Sequence, residues 1–179
     1  MKNQILILML SVVTLFACSS DSLNNDEVNL SNQKVDLQTS SSKRAVTRPF
    51  KMKKALGTFS VSQGDGISCS AIFLNAHGEG TVTHLGRSTL LVEWCWDGSP
   101  DDIGTKTLAL TAANGDVLYG TYNFIQWTSE TTFEQGLVFD GGTGRFENAT
   151  GEFYESLVIT WDTEYSGTFT ASGEGTLTY

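Results

Sequence analysis

Apolar and polar positions alternate with a period of two through most of the chain beyond residue 46, as half-buried strands require. The last segment is the clearest. Tyr165, Phe169, Ala171, Leu177 and Tyr179 share one parity with three glycines, while Thr168, Thr170, Ser172, Glu174, Thr176 and Thr178 take the other. Phe153, Leu157, Ile159 and Trp161 repeat the pattern, as do Phe133, Leu137 and Phe139. Leu108, Leu110 and Ala112 lead into Ala113-Asn114-Gly115-Asp116, after which Val117, Tyr119 and Thr121 resume the alternation. Asn-Gly between two such runs predicts a type I′ hairpin, whose two central residues both need positive φ. No segment carries helical periodicity, and glycines fall inside the strands where bends or bulges belong. The pattern predicts an all-β domain over 46–179, with seven to nine antiparallel strands in a closed barrel or a sandwich.

The N-terminus is organised differently. After Lys2, residues 5–17 are almost wholly apolar, too short a run to span a bilayer as a helix and suited to a secretory signal. Leu15-Phe16-Ala17-Cys18 resembles the lipobox of bacterial lipoproteins. That resemblance implies a signal peptide over 1–17 and acylation of Cys18, which would anchor the chain durably to a membrane. Ser19 and Ser20 stand where many inner-membrane lipoproteins carry Asp, so the resemblance points to the outer membrane. Residues 18–45 are polar and aperiodic. They cannot bury enough apolar surface to offset the entropy of ordering, and they read as a flexible tether.

Charge narrows the partners. From Gly57 onward Arg87, Lys106 and Arg145 face 16 acidic residues, which excludes a nucleic-acid surface, since phosphate backbones need clustered cations. Lys43, Arg44, Arg48, Lys51, Lys53 and Lys54 form a basic collar before it. The collar suits anionic headgroups or simple solvation. Cys69 and Cys95 remain besides Cys18. In an exported protein they can form a disulfide; equally, they can sit as buried thiols, Cys95 lying between Trp94 and Trp96. Neither belongs to a CxxC pair, so zinc and redox motifs are absent.

Three segments carry a family likeness: Gly80-Thr81-Val82-Thr83-His84-Leu85-Gly86-Arg87, Thr111-Ala112-Ala113-Asn114-Gly115-Asp116, and Gly141-Gly142-Thr143-Gly144-Arg145-Phe146-Glu147-Asn148-Ala149-Thr150-Gly151. In that order they resemble a group of secreted bacterial β-proteins. The Gly-Gly-Thr-Gly-Arg-Phe segment is similar to the corresponding loop of the allene oxide cyclase and dirigent proteins. The likeness implies a single antiparallel eight-stranded calycin-like barrel after the tether. Fold analogy does not transfer chemistry.

Four residues are candidates for a ligand site. His84 shares the parity of Val82, Leu90, Val92, Trp94 and Trp96 in an uninterrupted strand, where it is a ligand anchor, a general base or a core His bonded to a carbonyl. A register break at Gly86 would move it to the other face. Glu155 shares parity with Phe153, Leu157 and Ile159, so it points inward as an acid or base or pairs with Arg87 or Arg145. Gln135 lies similarly between Phe133 and Leu137. Arg145 either bonds turn carbonyls and carboxylates or meets a ligand, and Phe146 tucks under the barrel end. Asp97, Asp101 and Asp102 share one loop, but their spacing fits no EF-hand, and no metal or cofactor is expected. No nucleophile elbow, HExxH helix or dinucleotide fingerprint occurs.

The functional expectation is a membrane-anchored envelope module that binds a small apolar ligand or an envelope protein. Glu155 and His84 would be the catalytic candidates of the alternative, a cyclase- or dirigent-like enzyme steering a reactive intermediate. The second alternative is a solid-core structural lipoprotein.

Overall fold

Eight strands follow the alternation: β1 (Thr47–Gln63), β2 (Ile72–Val82), β3 (Gly86–Trp96), β4 (Thr105–Ala112), β5 (Val117–Trp127), β6 (Thr132–Gly142), β7 (Thr150–Thr163) and β8 (Ser166–Thr178). In this computed structural model, which describes residues 45–69, 71–97 and 103–179, each strand pairs antiparallel with the next. β8 returns to β1 and closes the barrel, so no sheet edge is left to pair elsewhere. The expected signal peptide, Cys18, the expected tether up to residue 44, and Asp101 and Asp102 lie outside the described residues.

Three bulges decide which side chains reach the interior. In β1 the pairing slips between Met52 and Lys54. Phe50 and Met52 therefore face inward, followed by Ala55, Phe59 and Val61. Between β5 and β6 it slips at Leu118/Gly120, where the extra residue belongs to β6, and again between Tyr122 and Phe124, after which Ile125 packs against the core. Here the expected parity is reversed: Leu118 is 0% exposed and Tyr122 is buried, whereas Tyr119 is 44% exposed. The β4–β5 turn also differs from expectation. Gly115 alone has positive φ, and its N–H donates to the Ala112 carbonyl at 2.9 Å while Asp116 accepts from the Ala112 N–H at 2.8 Å. This is a type I turn closed by a left-handed glycine, not a type I′ pair.

One end of the barrel is filled. Phe50 packs edge-on against Phe139 and Phe153 at centroid distances of 4.8 and 5.2 Å. Beneath them the β6–β7 connection forms one 3₁₀ turn, Gly144–Phe146, which drives Phe146 into the base and meets Tyr179 at 5.4 Å. Leu85, Ala149 and Leu177 complete the plug. Along the wall, large rings lie over glycine. A Cβ on Gly57 would fall 2.5 Å from the Phe169 ring, and one on Gly173 would fall 2.6 Å from Phe153. Inward glycines thus give the aromatic rings their room.

Candidate functional site

The other half of the barrel is open inside. A cavity of about 510 Å³ lies above the aromatic plug, within the range of small-ligand pockets. Its walls are chiefly apolar, with Phe59, Leu74, Leu108, Ile125 and Phe169 among them. Trp96, Trp127 and Trp161 stand at the strand ends around the mouth. On one side of the mouth Cys69 and Cys95 form a disulfide across a sequence separation of 26, which ties the β1–β2 connection to the end of β3. Asp65 organises that connection by accepting from the N–H groups of Ile67, Ser68 and Cys69. Those bonds hold its carboxyl below its ordinary range. Next to Cys95 on β3 the Trp94 indole donates to the Ile103 carbonyl at 2.5 Å, drawing the chain before β4 against β3. A solid core is therefore ruled out as the packing of this barrel.

Four polar side chains interrupt the apolar wall: Lys106 from β4, Tyr122 from β5, Gln135 from β6 and Glu155 from β7. They are 3%, 4%, 2% and 6% exposed. Gln135 and Glu155 are directly opposed in the β6–β7 ladder, and the Gln135 amide donates to Glu155 Oε1 at 2.5 Å. The same oxygen accepts from the Tyr122 hydroxyl at 2.8 Å. Lys106 Nζ donates to Gln135 Oε1. The ammonium position also lies 4.5 Å from the Tyr122 ring, 4.7 Å from Trp94 and 5.4 Å from Phe133, so aromatic faces supply the rest of its surroundings. Among the described residues no buried side-chain nitrogen or oxygen lacks a hydrogen bond, as a buried polar network requires.

Burial drives the electrostatics. Desolvation lowers the Lys106 pKa to about 7, against the opposing pull of Glu155. The same desolvation raises Glu155, only partly offset by Tyr122, Lys106 and Gln135. Tyr122 is pushed well up, first by burial and then by the neighbouring carboxylate. Cation and carboxyl are thus each displaced toward their neutral forms, the usual response to a low-dielectric site. Near neutral pH the chamber can therefore present an uncharged amine.

Of the residues singled out from the sequence, Gln135 and Glu155 meet in the cavity. His84 and Arg145 do not. His84 sits in the β2–β3 turn with φ of 67°, and its Nε2 bonds the Pro49 carbonyl at 3.0 Å. The turn, with Gly86 also at positive φ, removes it from the face that carries Leu90 and Val92. Arg145 lies at the plugged end, 3.6 Å from Asp116 and with its guanidinium 4.8 Å from the Phe146 ring centroid. Arg87, one candidate partner for Glu155, instead pairs with Glu79 at 2.7 Å on the outside. Lys106 and Tyr122 were not anticipated. For Lys106 the signal was present, since it shares the parity of Leu108, Leu110 and Ala112. Tyr122 was missed because the β4–β5 turn brings Leu118, Gly120 and Tyr122 inward, the opposite parity from the one read in the sequence.

No protein-family model, curated protein or solved structure matches this chain.

Proposed function

We propose that the barrel is a binding module for a small, mainly apolar molecule whose single polar end meets the Lys106–Gln135–Glu155–Tyr122 cluster. The observation that carries this reading is an apolar chamber of about 510 Å³ whose polar groups converge on one stretch of wall. Apolar walls supply affinity, and a few fixed polar groups set orientation. Eight strands leave an interior just large enough for one such ligand. The cyclase-like alternative with Glu155 and His84 acting together loses its geometry, because His84 bonds Pro49 in a turn at the plugged end.

Titration with the neutral fluorophore N-phenyl-1-naphthylamine tests the reading. One saturable site is expected, lost in A171F, which places a ring where Ala171 lines the chamber. Emission that never saturates, or a folded A171F that binds as well as wild type, overturns it. Native mass spectrometry of protein purified from its own membrane would identify a retained molecule.

The module's address is part of the same proposal: Cys18 carries acyl chains that hold the barrel at the outer membrane. The lipobox-like Leu15–Cys18 supports it, and the Cys69–Cys95 disulfide is consistent with an extracytoplasmic compartment. Growth with an alkyne-tagged fatty acid should label the wild-type chain and leave C18A unlabelled. Equal labelling of both would remove Cys18 as the anchor.

A further inference from the structure

We propose that Lys106 is a covalent capture residue, forming a reversible imine with an apolar aldehyde held in the barrel cavity. The inference rests on the binding reading above and assigns its ligand class. Three features of the site point to it. Among the described residues Lys106 is the only lysine lining the cavity, and it emerges among Trp94, Tyr122 and Phe133, whose rings line the surrounding wall. Among the described residues, its nitrogen has Gln135 as its one hydrogen-bond partner and no carboxylate within salt-bridge distance. The nearest acid, Glu155, stands one side chain away, behind Gln135 and bonded to the Tyr122 hydroxyl. A lysine kept for charge pairing would meet its carboxylate directly. This one is held off it and faces the space a ligand would fill.

The chemistry needs no further reagent. The neutral amine attacks the carbonyl carbon; an N–C bond forms, and the carbonyl π electrons move to oxygen. The oxygen takes a proton, giving a carbinolamine. The C–O bond then breaks as the nitrogen lone pair forms C=N, and the oxygen departs as water, for a net loss of two hydrogens from the amine nitrogen. Glu155, which lines the same cavity, relays the second of these hydrogens, taking a proton from nitrogen and giving one to the leaving hydroxyl. Desolvation of the amine favours the free base at neutral pH, as in other lysines that form Schiff bases. Exposed lysines with ordinary pKa near 10.4 remain almost wholly protonated there. The apolar wall also suits an alkyl or aryl aldehyde better than a sugar aldehyde, whose hydroxyls would lose their hydrogen bonds to water.

The test uses octanal with sodium cyanoborohydride at pH 7.5, read by intact mass and peptide mapping. One reduced octyl adduct on Lys106 is expected, exceeding that on each of the exposed Lys51, Lys53 and Lys54 by at least about tenfold, because the cavity holds the aldehyde beside one amine. K106M should lose it, whereas H84A, outside the cavity, should keep both the adduct and the neutral fluorophore. E155Q should form the adduct more slowly, with the pH optimum displaced downward, because the carboxylate that favours the lysine proton is gone. Octanol serves as the non-carbonyl control for displacement of the fluorophore. If octanal and octanol displace the fluorophore alike and Lys106 stays unmodified, the imine fails and the binding module stands. If the fluorophore finds no saturable site, the binding reading fails first. Should K106M not fold, adduct mapping on wild type and E155Q still decides, and labelling spread evenly over the lysines overturns the proposal.

Discussion

Lys106 and Glu155 occupy the same apolar chamber without touching, and Gln135 joins them by accepting from the first and donating to the second. A single amide thus satisfies both ends of a buried charge pair. Its two faces also set the polarity of the cavity wall, acceptor toward β4 and donor toward β7. Direct contact would make the pair a closed salt bridge; separation by Gln135 keeps amine and carboxyl individually available.

Replacing that amide should be costly. Q135L keeps similar bulk but leaves Lys106 without its hydrogen bond and removes one of two bonds to Glu155 Oε1. Hydrogen bonds to charged groups contribute about 1.5–3 kcal/mol each, so a loss of roughly 2–4 kcal/mol is expected. The midpoint of guanidinium unfolding measures it. A change under half a kcal/mol, within the scatter of about 0.5 kcal/mol typical of surface substitutions, would mean that water replaces the amide fully.

The lysine makes stability depend on pH in a defined direction. Its pKa is about 7 in the folded barrel, against 10.5 for an ordinary lysine. Between those values the unfolded chain binds the extra proton, so this group makes the fold more stable as pH rises from 7 to 10.5. Glu155 acts oppositely. Its folded pKa is raised, so its contribution falls as pH climbs from about 4.5 toward the folded value. Other titrations largely cancel when wild type is compared with K106M. The difference in unfolding midpoint should therefore move in favour of wild type between pH 7 and 10.5, and a constant difference would contradict the burial of a titrating amine.

The all-β alternation was readable because each face of each strand is either packed or solvated. β6, β7 and β8 hold the expected parity from end to end. The same rule places Gln135 and Glu155 inside. It failed at β5 because the β4–β5 turn sets Leu118 opposite Leu110, so that Leu118, Gly120 and Tyr122 face inward in place of Val117, Tyr119 and Thr121. Gly86 was a legible warning for His84, since a left-handed glycine beside Leu85 turns the chain before the histidine face can continue. Lys106 was missed for a chemical reason. Its parity with Leu108 and Leu110 was plain, but a charged residue opening a strand reads as exposed unless a buried partner is known, and that partner lies on β6.

The residues that moved out of the site give a sharp control. H84A removes a bond to Pro49 and R145A removes a half-exposed ion pair with Asp116, both at the plugged end. Affinity for the neutral fluorophore should stay within about twofold of wild type, because neither side chain lines the cavity. Loss of a surface ion pair costs at most about 1 kcal/mol. A tenfold loss of affinity in either folded variant would require coupling through the aromatic plug.

Reduction should loosen the mouth more than the plug. The Cys69–Cys95 bridge closes a loop with a sequence separation of 26, for which the chain-entropy relation gives about 3.5 kcal/mol. C69A/C95A is expected to lose about that much, with hydrogen exchange rising first in the β1–β2 connection and at the end of β3. Intact mass before and after reductant and alkylation establishes the bridge. Uniform acceleration of exchange around the whole barrel would show that the mouth does not open independently.

Two glycines of similar appearance should respond very differently to alanine. Gly115 has φ of 88° in the β4–β5 turn, and a Cβ there would meet no atom within 4 Å. Only the left-handed backbone opposes G115A, at about 1–2 kcal/mol. Gly57 lies in β1 opposite Gly78, where a Cβ would fall 2.1 Å from the His77 carbonyl oxygen and 2.5 Å from the Phe169 ring. Neither neighbour can retreat cheaply, since one belongs to the β2 ladder and the other to the cavity wall. G57A must part the β1–β2 ladder or expel the ring, so its cost should exceed that of G115A by more than about 2 kcal/mol, the scale of overpacking a core. If Phe169 swings instead, stability suffers less and the chamber loses part of its volume, which appears as weaker fluorophore binding. Equal destabilisation in both variants, with binding unchanged, would mean that the ring does not rest on Gly57 and that the cavity wall at Phe169 is shaped otherwise.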